Sequence, residues 1–342
     1  MNVQRSSTSK PSSNVIWRGL LFVIVIASLA FALNKIQGLH LISPMILAVF
    51  IGILYRSFFK TPESCHAGIQ FSLQKLLKIA IVFLGLQLNF SQVLDVGWNG
   101  ILTITLTLVT TFLFCLWLGN RLGLDPRLVR LIAAGTSICG ASAIVATNSV
   151  IKGKDEHVAY AITLVTLFGF LSMLLFPIIG ELMHLNPKTF GFWSGISIHE
   201  TAQVIAAAFQ GGQESGEIGT VAKLSRVLFL VPVIIILGYS PKKNNKVADG
   251  LPSAQRASLP IPWFVIGFIV MVAINSLTPL TGDIQQYVKT GNKFLLTISL
   301  AAMGLQMSFS EMKNIGLRPL CLGGLSWLFV STTGLTLAYL LN

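Results

Sequence analysis

Long apolar runs recur along the whole chain and restrict what it can fold into. Each run holds about 18–24 mostly apolar residues, the length at which a helix crosses a bilayer. The sequence therefore predicts an all-α polytopic membrane protein with about 11 transmembrane helices. They are expected near residues 16–33, 41–57, 71–90, 99–119, 128–150, 158–180, 189–210, 217–239, 259–277, 290–309 and 317–341.

The composition agrees with a membrane protein. The chain is 53% hydrophobic and 11% charged, whereas soluble domains carry about 25% charged residues. Its net charge of +12 comes from basic residues in short connections between apolar runs, which is typical of topology determinants rather than of nucleic-acid binding. Walker, nucleophile-elbow and zinc-pair motifs are missing, and the four cysteines are scattered. We therefore expect no enzyme activity, metal or nucleic-acid partner.

The placement of Lys and Arg predicts the orientation in the membrane. A cytoplasmic N-terminus puts 17 basic residues on the cytoplasmic side and five on the other side. With an odd helix count the C-terminus is then periplasmic. Residues 1–15 are predicted to be a disordered cytoplasmic tail, and 16–342 a single membrane transporter domain whose halves are joined by a cytoplasmic linker at 240–259.

A short motif occurs twice. The segment Gly85-Leu86-Gln87-Leu88-Asn89-Phe90-Ser91 returns as Gly304-Leu305-Gln306-Met307-Ser308-Phe309-Ser310. The copies lie in the third and tenth predicted helices and so cross in opposite directions, which indicates an inverted-repeat transporter fold. Chance similarity at two helix ends is the alternative. The amides are secondary site candidates, or caps: Gln87, Asn89 and Gln306.

The fifth run carries a small, weakly polar face. Glycines at 135 and 140 would let a helix unwind near the bilayer centre and free backbone groups for a ligand, an anion if a helix N-terminus points there. Close helix packing through small residues is the alternative. The candidate substrate-binding residues here are Thr136, Ser137, Cys139, Gly140 and Ser142, with Asn148 as a secondary candidate.

The seventh and eighth runs carry ionisable groups where hydrocarbon should surround the chain. Such groups cost roughly 3 kcal/mol or more each, so they usually face a cavity or a partner. For the seventh run the alternative is a structural hydrogen-bond cluster. For the two basic side chains of the eighth run it is outward snorkelling, or pairing with Glu214, Glu217 or Glu200. The functional interpretation predicts proton coupling and a cationic wall for an anion. The candidate residues are His199, Glu200, Thr201, Gln203, Lys223 and Arg226.

Two segments carry a family resemblance. The stretches Leu131–Ile144 and Ser197–Val204 resemble the YeiH-like family of bacterial inner-membrane proteins, described as sulfate exporters, and the Gly-Leu-Gln and Lys223–Arg226 segments are similar to it too. The resemblance implies the fold of the cation–proton antiporter and bile-acid transporter superfamily, with broken helices that cross at the midplane, in a bacterial inner membrane. The fifth and seventh runs would be parallel, however. Either the tenth run is the crossing partner of the fifth, or one segment is re-entrant.

These features predict a secondary active transporter of a small anion. Sulfate, sulfite or a sulfonate is the expected substrate, export the expected direction, and H⁺ or Na⁺ the coupling ion, without another cofactor. The expected partners are the substrate, the lipid bilayer and a second copy in a homodimer. The alternatives are a Na⁺-coupled organic-anion symporter and a non-transporting membrane sensor or scaffold.

Overall fold

The computed structural model describes residues 13–38, 42–91, 97–238, 263–280, 282–307 and 316–341. These residues are helical, with no β-strand among them. Most of the predicted tail (1–12), the predicted linker 240–259 and the end of the second motif copy (308–310) lie outside the described residues. The first helix begins at Ser13, inside the predicted tail.

The helices are numbered here along the chain. Between α3 and α4 the helix widens into one π-helical turn, Ser72–Leu76, and 3-10 turns flank this segment at Glu63–Cys65 and Gly85–Gln87. The α-helices are α1 Ser13–Asn34, α2 Pro44–Phe58, α3 His66–Phe71, α4 Leu77–Leu84, α5 Gly97–Arg121, α6 Pro126–Ser137, α7 Ala141–Ile151, α8 Asp155–Leu182, α9 Pro187–Ser197, α10 Thr201–Ala208, α11 Gln213–Leu228, α12 Leu230–Gly238, α13 Trp263–Leu277, α14 Gly282–Gln306 and α15 Leu317–Leu341.

Six segments of the described chain are long and apolar enough to cross a membrane. They are Ile16–Asn34, Glu63–Gln87, Gly97–Arg121, Asp155–Leu182, Gln213–Leu237 and Leu317–Leu340. Shorter apolar helices are Pro44–Phe58, Ala141–Ile151 and Trp263–Leu277. The chain is therefore a polytopic helical membrane protein.

The chain divides into two compact units. Unit 1 holds residues 1–87 and 268–309, and its apolar core joins α1, α2, α3 and α14. Its helices approach closely at glycines. A Cβ on Gly52 of α2 would lie 2.8 Å from the carbonyl oxygen of Ala301 in α14. The hydrophobic effect does not drive helices together in lipid. Small residues at such crossings instead allow the close van der Waals packing that stabilises helix association.

The repeated motif supplies two of these close contacts in unit 1. Gly304 of α14 lies against the carbonyl oxygen of Val49 in α2. Gly85, its counterpart, lies against α13, where an added Cβ would be 2.5 Å from the carbonyl oxygen of Phe268. Each motif glycine therefore packs against the backbone of another helix.

Unit 2 holds residues 88–267 and 310–342. Its core packs α6, α7 and α15 around the 28-residue helix α8. Aromatic side chains tie α15 to its neighbours. The indole of Trp193 in α9 donates to the carbonyl of Ser331 (2.9 Å), and that of Trp327 donates to the hydroxyl of Ser172 in α8 (2.7 Å).

The fifth apolar run forms a hairpin of two short helices, α6 and α7, which we call hairpin 1. A Cβ on Gly153, just past α7, would lie 3.8 Å from Cβ of Arg127 near the start of α6. A Cβ on Gly135, near the end of α6, would lie 2.8 Å from Ile144, near the start of α7. The two arms are therefore antiparallel, and the chain reverses at residues 138–140.

The seventh run does the same with α9 and α10, which we call hairpin 2. Gly191 and Gly195 of α9 lie against Ser215 and Gly219 of α11, so α9 runs parallel to α11. The following arm runs the other way, because Gly216 of α11 packs against Phe209 and Gly219 against Ala208 at the end of α10. The chain therefore reverses at residues 198–200.

The two hairpins open at opposite ends of α8. Hairpin 1 leads into the start of α8 at Asp155, and hairpin 2 follows its end at Leu182. Both tips lie at its middle: a Cβ on Gly135 would be 2.8 Å from Val165, and the hydroxyl of Thr166 donates to Glu200 (3.0 Å). At 1.5 Å per residue, each tip lies about 15–25 Å from an end of α8.

These hairpins correct the predicted count of about 11 transmembrane helices and the predicted broken helices that cross. The helices of the fifth and seventh runs are indeed interrupted at their glycine-rich polar stretches. The chain then turns back instead of continuing, because each returning arm packs antiparallel to its own first arm or to α11.

Candidate functional site

Both hairpins begin with the same local signal, a side-chain cap followed by proline. Asp125 Oδ1 accepts from the Arg127 amide (2.7 Å) at the start of α6, and Asn186 Oδ1 accepts from the Thr189 amide (2.8 Å) at the start of α9. Proline follows each cap, where its missing N–H costs nothing. The backbone amide of Arg127 and, less, His157 lower the pKa of Asp125 below its ordinary value.

The tip of hairpin 1 is a tight turn that needs glycine. Gly140 has φ 69° and ψ −133°, a backbone conformation that residues with a Cβ rarely adopt. Its amide donates to the carbonyl of Gly135 (2.9 Å). Helix α7 starts directly after it without a side-chain cap. The first amides of α7 therefore lie at the tip.

The tip of hairpin 2 has a different backbone. Ile198 and Glu200 are extended, with φ/ψ of −69°/143° and −105°/146°. Gln203 fixes the start of α10: its Oε1 accepts from the Glu200 amide (3.2 Å) and its Nε2 donates to the carbonyl of Thr166 in α8 (3.1 Å). Gln203 therefore ties this tip to the middle of α8.

The two tips touch at Gly140 and Glu200. A Cβ added to Gly140 would lie 2.6 Å from Cγ of Glu200 and 3.4 Å from the carbonyl oxygen of His199. The Glu200 side chain thus lies directly over the glycine that starts α7. Helices α7 and α10 both begin at this contact, so the positive ends of two helix dipoles converge on it.

The first arms, α6 and α9, end at the same place, and α11 satisfies their last carbonyls. Lys223 Nζ donates to the carbonyls of Ile138 (3.0 Å) and Ile198 (2.7 Å), one from each tip. Without donors, buried C-terminal carbonyls would each cost about 1–3 kcal/mol.

Arg226 repeats this arrangement one turn further along α11. Its Nε donates to the carbonyl of Ser137 (3.1 Å) and its Nη2 to that of Thr136 (3.0 Å), both in hairpin 1. Its Nη1 donates to the carbonyl of Ile196 in hairpin 2. Both basic side chains are fully buried, so they hold the two hairpins together from within the protein.

The structure brings the eleven main candidates together at the tips and on the facing turn of α11, but in different environments. Ser142 is exposed, and Glu200 and Thr201 are half-buried. The others are buried: Thr136, Ser137, Cys139, Gly140, His199, Gln203, Lys223 and Arg226. Ser137 Oγ and His199 Nδ1 have no hydrogen-bond partner among the described residues.

The secondary candidates are divided between the two units. Asn148 is near the open end of hairpin 1, where its Oδ1 accepts from the Gly153 amide (2.8 Å) and ends α7. Gln87, buried, and Gln306, exposed, belong to unit 1. Asn89 is exposed, just past the boundary of unit 2. Asn148 therefore lies at the end of hairpin 1 that is opposite its tip.

Sequence reasoning missed Thr166, the hydroxyl donor to Glu200. A single threonine in an apolar helix is ordinary, since its hydroxyl usually bonds a carbonyl one turn back, as that of Thr163 does to Ala159 (2.9 Å). No signal in the sequence separates Thr166 from Thr163.

Comparison with known proteins places the chain in a family. The family model described as "Conserved hypothetical protein 698" matches residues 18–323. The chain belongs to the UPF0324 membrane protein family. It is 34% identical to a UPF0324 membrane protein of Pseudomonas putida over 322 residues, which cover 93% of this chain and 90% of that protein.

Other members are similar over almost their whole length. A UPF0324 membrane protein of Pseudomonas aeruginosa is 35% identical over 331 residues, 93% of either chain. One from Listeria monocytogenes serotype 4b is 31% identical over 326 residues, 95% of this chain and 96% of that protein. Their names describe membrane proteins and no substrate, so a cargo can only be argued from the site.

Proposed function

We propose that this protein is a secondary active transporter of a small anion, which binds where the tips of hairpins 1 and 2 meet. The observation that carries this is a charge imbalance. Two fully buried basic side chains, Lys223 and Arg226, face the tips together with one acidic side chain, Glu200. A bound anion would balance the remaining positive charge in a region where charge is costly.

Helix dipoles act in the same direction. The negative C-terminal ends of α6 and α9 are neutralised by the cations of α11, which donate to their carbonyls. The positive N-terminal ends of α7 and α10, each equivalent to about +0.5 elementary charge, meet at the Glu200 side chain and attract negative charge to the tips. The hydroxyls of Ser142 and Thr201, in the first turns of these helices, are accessible donors for oxyanion oxygens.

Sulfate, sulfite or a sulfonate fits these donors. Such anions have several oxygens, no apolar body that needs a large pocket, and a negative charge that amides and hydroxyls recognise at a helix N-terminus. The resemblance to described sulfate exporters agrees with this substrate class and makes export the proposed direction. Proton coupling is part of the proposal, through the ionisable residues His199 and Glu200.

The proposed topology has nine membrane crossings and two re-entrant hairpins. The N-terminus remains cytoplasmic and the C-terminus periplasmic, in a bacterial inner membrane. Hairpin 1 then enters from the cytoplasm and hairpin 2 from the periplasm. Lys152 and Lys154 move to the cytoplasmic side and Lys188 to the periplasmic side, which changes the split of basic residues from 17 and 5 to 18 and 4.

An inverted repeat remains part of the proposal. The motif helices, α4 and α14, are now five crossings apart and still run in opposite directions. The equivalent contacts of Gly85 with α13 and of Gly304 with α2 support it. Hairpins that enter from opposite sides are also what a repeat of opposite orientation would produce.

Transport into proteoliposomes tests the proposal. Uptake of labelled sulfate, sulfite and a small sulfonate is measured with and without a pH gradient, and chloride and acetate serve as comparison anions. We expect saturable flux of at least one sulfur oxyanion, reduced about tenfold or more when the clash in Gly140→Ala disturbs the tips. Empty liposomes and Glu214→Gln, a change at an exposed residue of α11, are the controls. No flux of any tested anion under either gradient would contradict the proposal and favour a sensor or scaffold.

A Na⁺-coupled organic-anion symporter is less compatible with the tips. Sodium is bound by oxygen ligands, and freed carbonyls in interrupted helices commonly supply them. Here the carbonyls of Ser137, Ile138 and Ile198 accept from Lys223 or Arg226 instead. Sodium-dependent flux that does not respond to pH would overturn this preference.

A further inference from the structure

Glu200 differs from the other titratable groups at the hairpin tips in how completely the protein covers it. It is half-buried, whereas Cys139, His199, Lys223 and Arg226 are all buried. Its Oε1 accepts from the hydroxyl of Thr166 (3.0 Å), and its Cγ and Cδ would lie 2.6 and 3.5 Å from a Cβ on Gly140. The protein therefore encloses Glu200 less completely than it encloses His199.

The position of Glu200 is one that a substrate anion would need. Its side chain covers the glycine from which α7 starts, and α7 has no side-chain cap. A carboxylate near a helix N-terminus is stabilised by the dipole and the free amides, as a bound oxyanion would be. The ionised Glu200 side chain and an anion at the tips therefore repel each other and compete for the same donors.

The groups around Glu200 determine what its protonation changes. Glu200 interacts electrostatically with Lys223 of α11 and with Cys139 of hairpin 1. Thr166 of α8 donates a hydrogen bond to it, and His199 is its neighbour in the chain. Arg226 lies one turn further along α11 and is charged at any physiological pH. Protonation of Glu200 therefore removes one negative charge from the tips and leaves Arg226, together with Lys223 when that amine is protonated, to face an anion.

We propose that Glu200 couples protons to anion binding and selects a divalent oxyanion, because its protonation frees the start of α7 and leaves a charge that a dianion balances. This rests on the proposed transport of a small anion and makes it more specific: one proton is bound at Glu200 with each dianion. Linkage requires the effect to be reciprocal, so the bound dianion raises the proton affinity of Glu200 by the same factor.

Calorimetric titration of the purified full-length protein with sulfate tests this. Sulfate keeps its double charge from about pH 5.5 to about pH 8, so any pH dependence in this range belongs to the protein. Titrations in two buffers of different ionisation enthalpy give the number of protons taken up. For the wild type we expect uptake of about one proton and an affinity that falls by up to about tenfold per pH unit as the pH rises.

The variants assign the proton. In Glu200→Gln the neutral amide keeps the size of the side chain, and we expect sulfate affinity that is independent of pH with no proton uptake. Glu214→Gln removes a carboxylate from the exposed start of α11 and should titrate as the wild type does. Thermal unfolding of each variant checks that it is folded.

Several results would overturn the inference, and they differ from a failure of the proposed function. The proton would be assigned to another group if proton uptake persists in Glu200→Gln or disappears in Glu214→Gln. The same holds if uptake disappears in His199→Gln but not in Glu200→Gln. Wild-type sulfate affinity that does not change with pH would exclude coupling. If sulfate, sulfite and sulfonates all fail to bind to the wild type at any pH, the proposed anion site itself is wrong.

Discussion

Hairpins 1 and 2 have the same construction but different tips. Each starts with a capped proline, reverses near the middle of α8, and has its last carbonyls satisfied by Lys223 and Arg226. The tip of hairpin 1 consists of neutral residues and turns on a glycine with positive φ, whereas the tip of hairpin 2 is extended and carries His199 and Glu200. The tip of hairpin 1 offers backbone amides, and the tip of hairpin 2 carries two ionisable side chains.

This difference indicates that one set of residues positions the tips and another set gives them their chemical properties. The shared basic side chains of α11 fix where the tips lie, because they bond to backbone carbonyls and not to any particular side chain. The residues at the tips are then free to differ. Changes at the shared contacts should therefore affect both hairpins, and changes at one tip should affect mainly one.

The largest effect is expected from Arg226→Ala, which removes what the hairpins share. It leaves buried carbonyls of Thr136, Ser137 and Ile196 without this donor. Each buried carbonyl left without a donor costs about 1–3 kcal/mol, so the variant should unfold at a much lower temperature or fail to accumulate. Arg226→Lys should recover part of the stability, since it keeps the charge but not the fork of donors.

Limited proteolysis and hydrogen exchange of the Arg226 variants then sharpen the comparison. Both hairpin tips should become more exposed to exchange, because Arg226 bonds to both. Arg127→Ala, at an exposed position near the start of α6, is the matched control and should change the unfolding temperature little. Exchange that increases at only one tip would show that α11 does not hold the two together.

A smaller effect is expected from Gly140→Ala, which changes one tip. An alanine there is strained by its positive φ, about 1–3 kcal/mol, and its Cβ would also push against the Glu200 side chain. Gly123→Ala separates these effects, since Gly123 also has positive φ (64°) but an added Cβ meets nothing within 4 Å.

Thermal unfolding and anion binding are measured for both glycine variants. Both should lose some stability, and only Gly140→Ala should also lose anion affinity. Equal loss of affinity in both would mean that strain, and not the contact with Glu200, explains the result.

The sequence predicted which residues meet at the tips, because polar and ionisable groups in apolar runs are conspicuous at residues 136–142 and 199–203. It left one re-entrant segment open as an alternative and did not predict that both runs reverse. Hydropathy measures how long and how apolar a run is, and a hairpin of two half-length helices has the same hydropathy as one crossing helix. The direction of the chain depends on contacts such as that of Gly153 with Arg127, which are distant in sequence.

The partners of the basic side chains were also beyond the sequence. Lys223 and Arg226 were predicted to form a wall that contacts the anion directly. In the structure both side chains donate to backbone carbonyls instead. Every residue has a backbone carbonyl, so the sequence contains no residue type that identifies these partners. In the proposed topology the orientation after α11 is unchanged, because two runs counted as crossings are both hairpins and the two errors cancel.

The smallest effect concerns the caps at the open ends, where the hairpins differ by one titratable group. Asp125 caps α6 with a carboxylate, and Asn186 caps α9 with a neutral amide. The pKa of Asp125 is lower in the folded protein because its carboxylate accepts from the Arg127 amide. A lowered pKa adds stability above the ordinary pKa of about 4, and this contribution is lost as the pH falls through the folded value.

Asp125→Asn should therefore be nearly neutral at pH 7, since the two residues cap equally well, and should remove part of the loss of stability in acid. Asp125→Ala should cost about 1 kcal/mol at pH 7. The converse change, Asn186→Asp, should give hairpin 2 the acid sensitivity that hairpin 1 has. The unfolding temperature of each variant is compared with that of the wild type from about pH 3 to about pH 7. The contributions of the other carboxylates are the same in both proteins and cancel in the difference. If Asp125→Asn and the wild type lose stability in parallel as the pH falls, the cap carboxylate contributes nothing that depends on its charge, and the two open ends are equivalent.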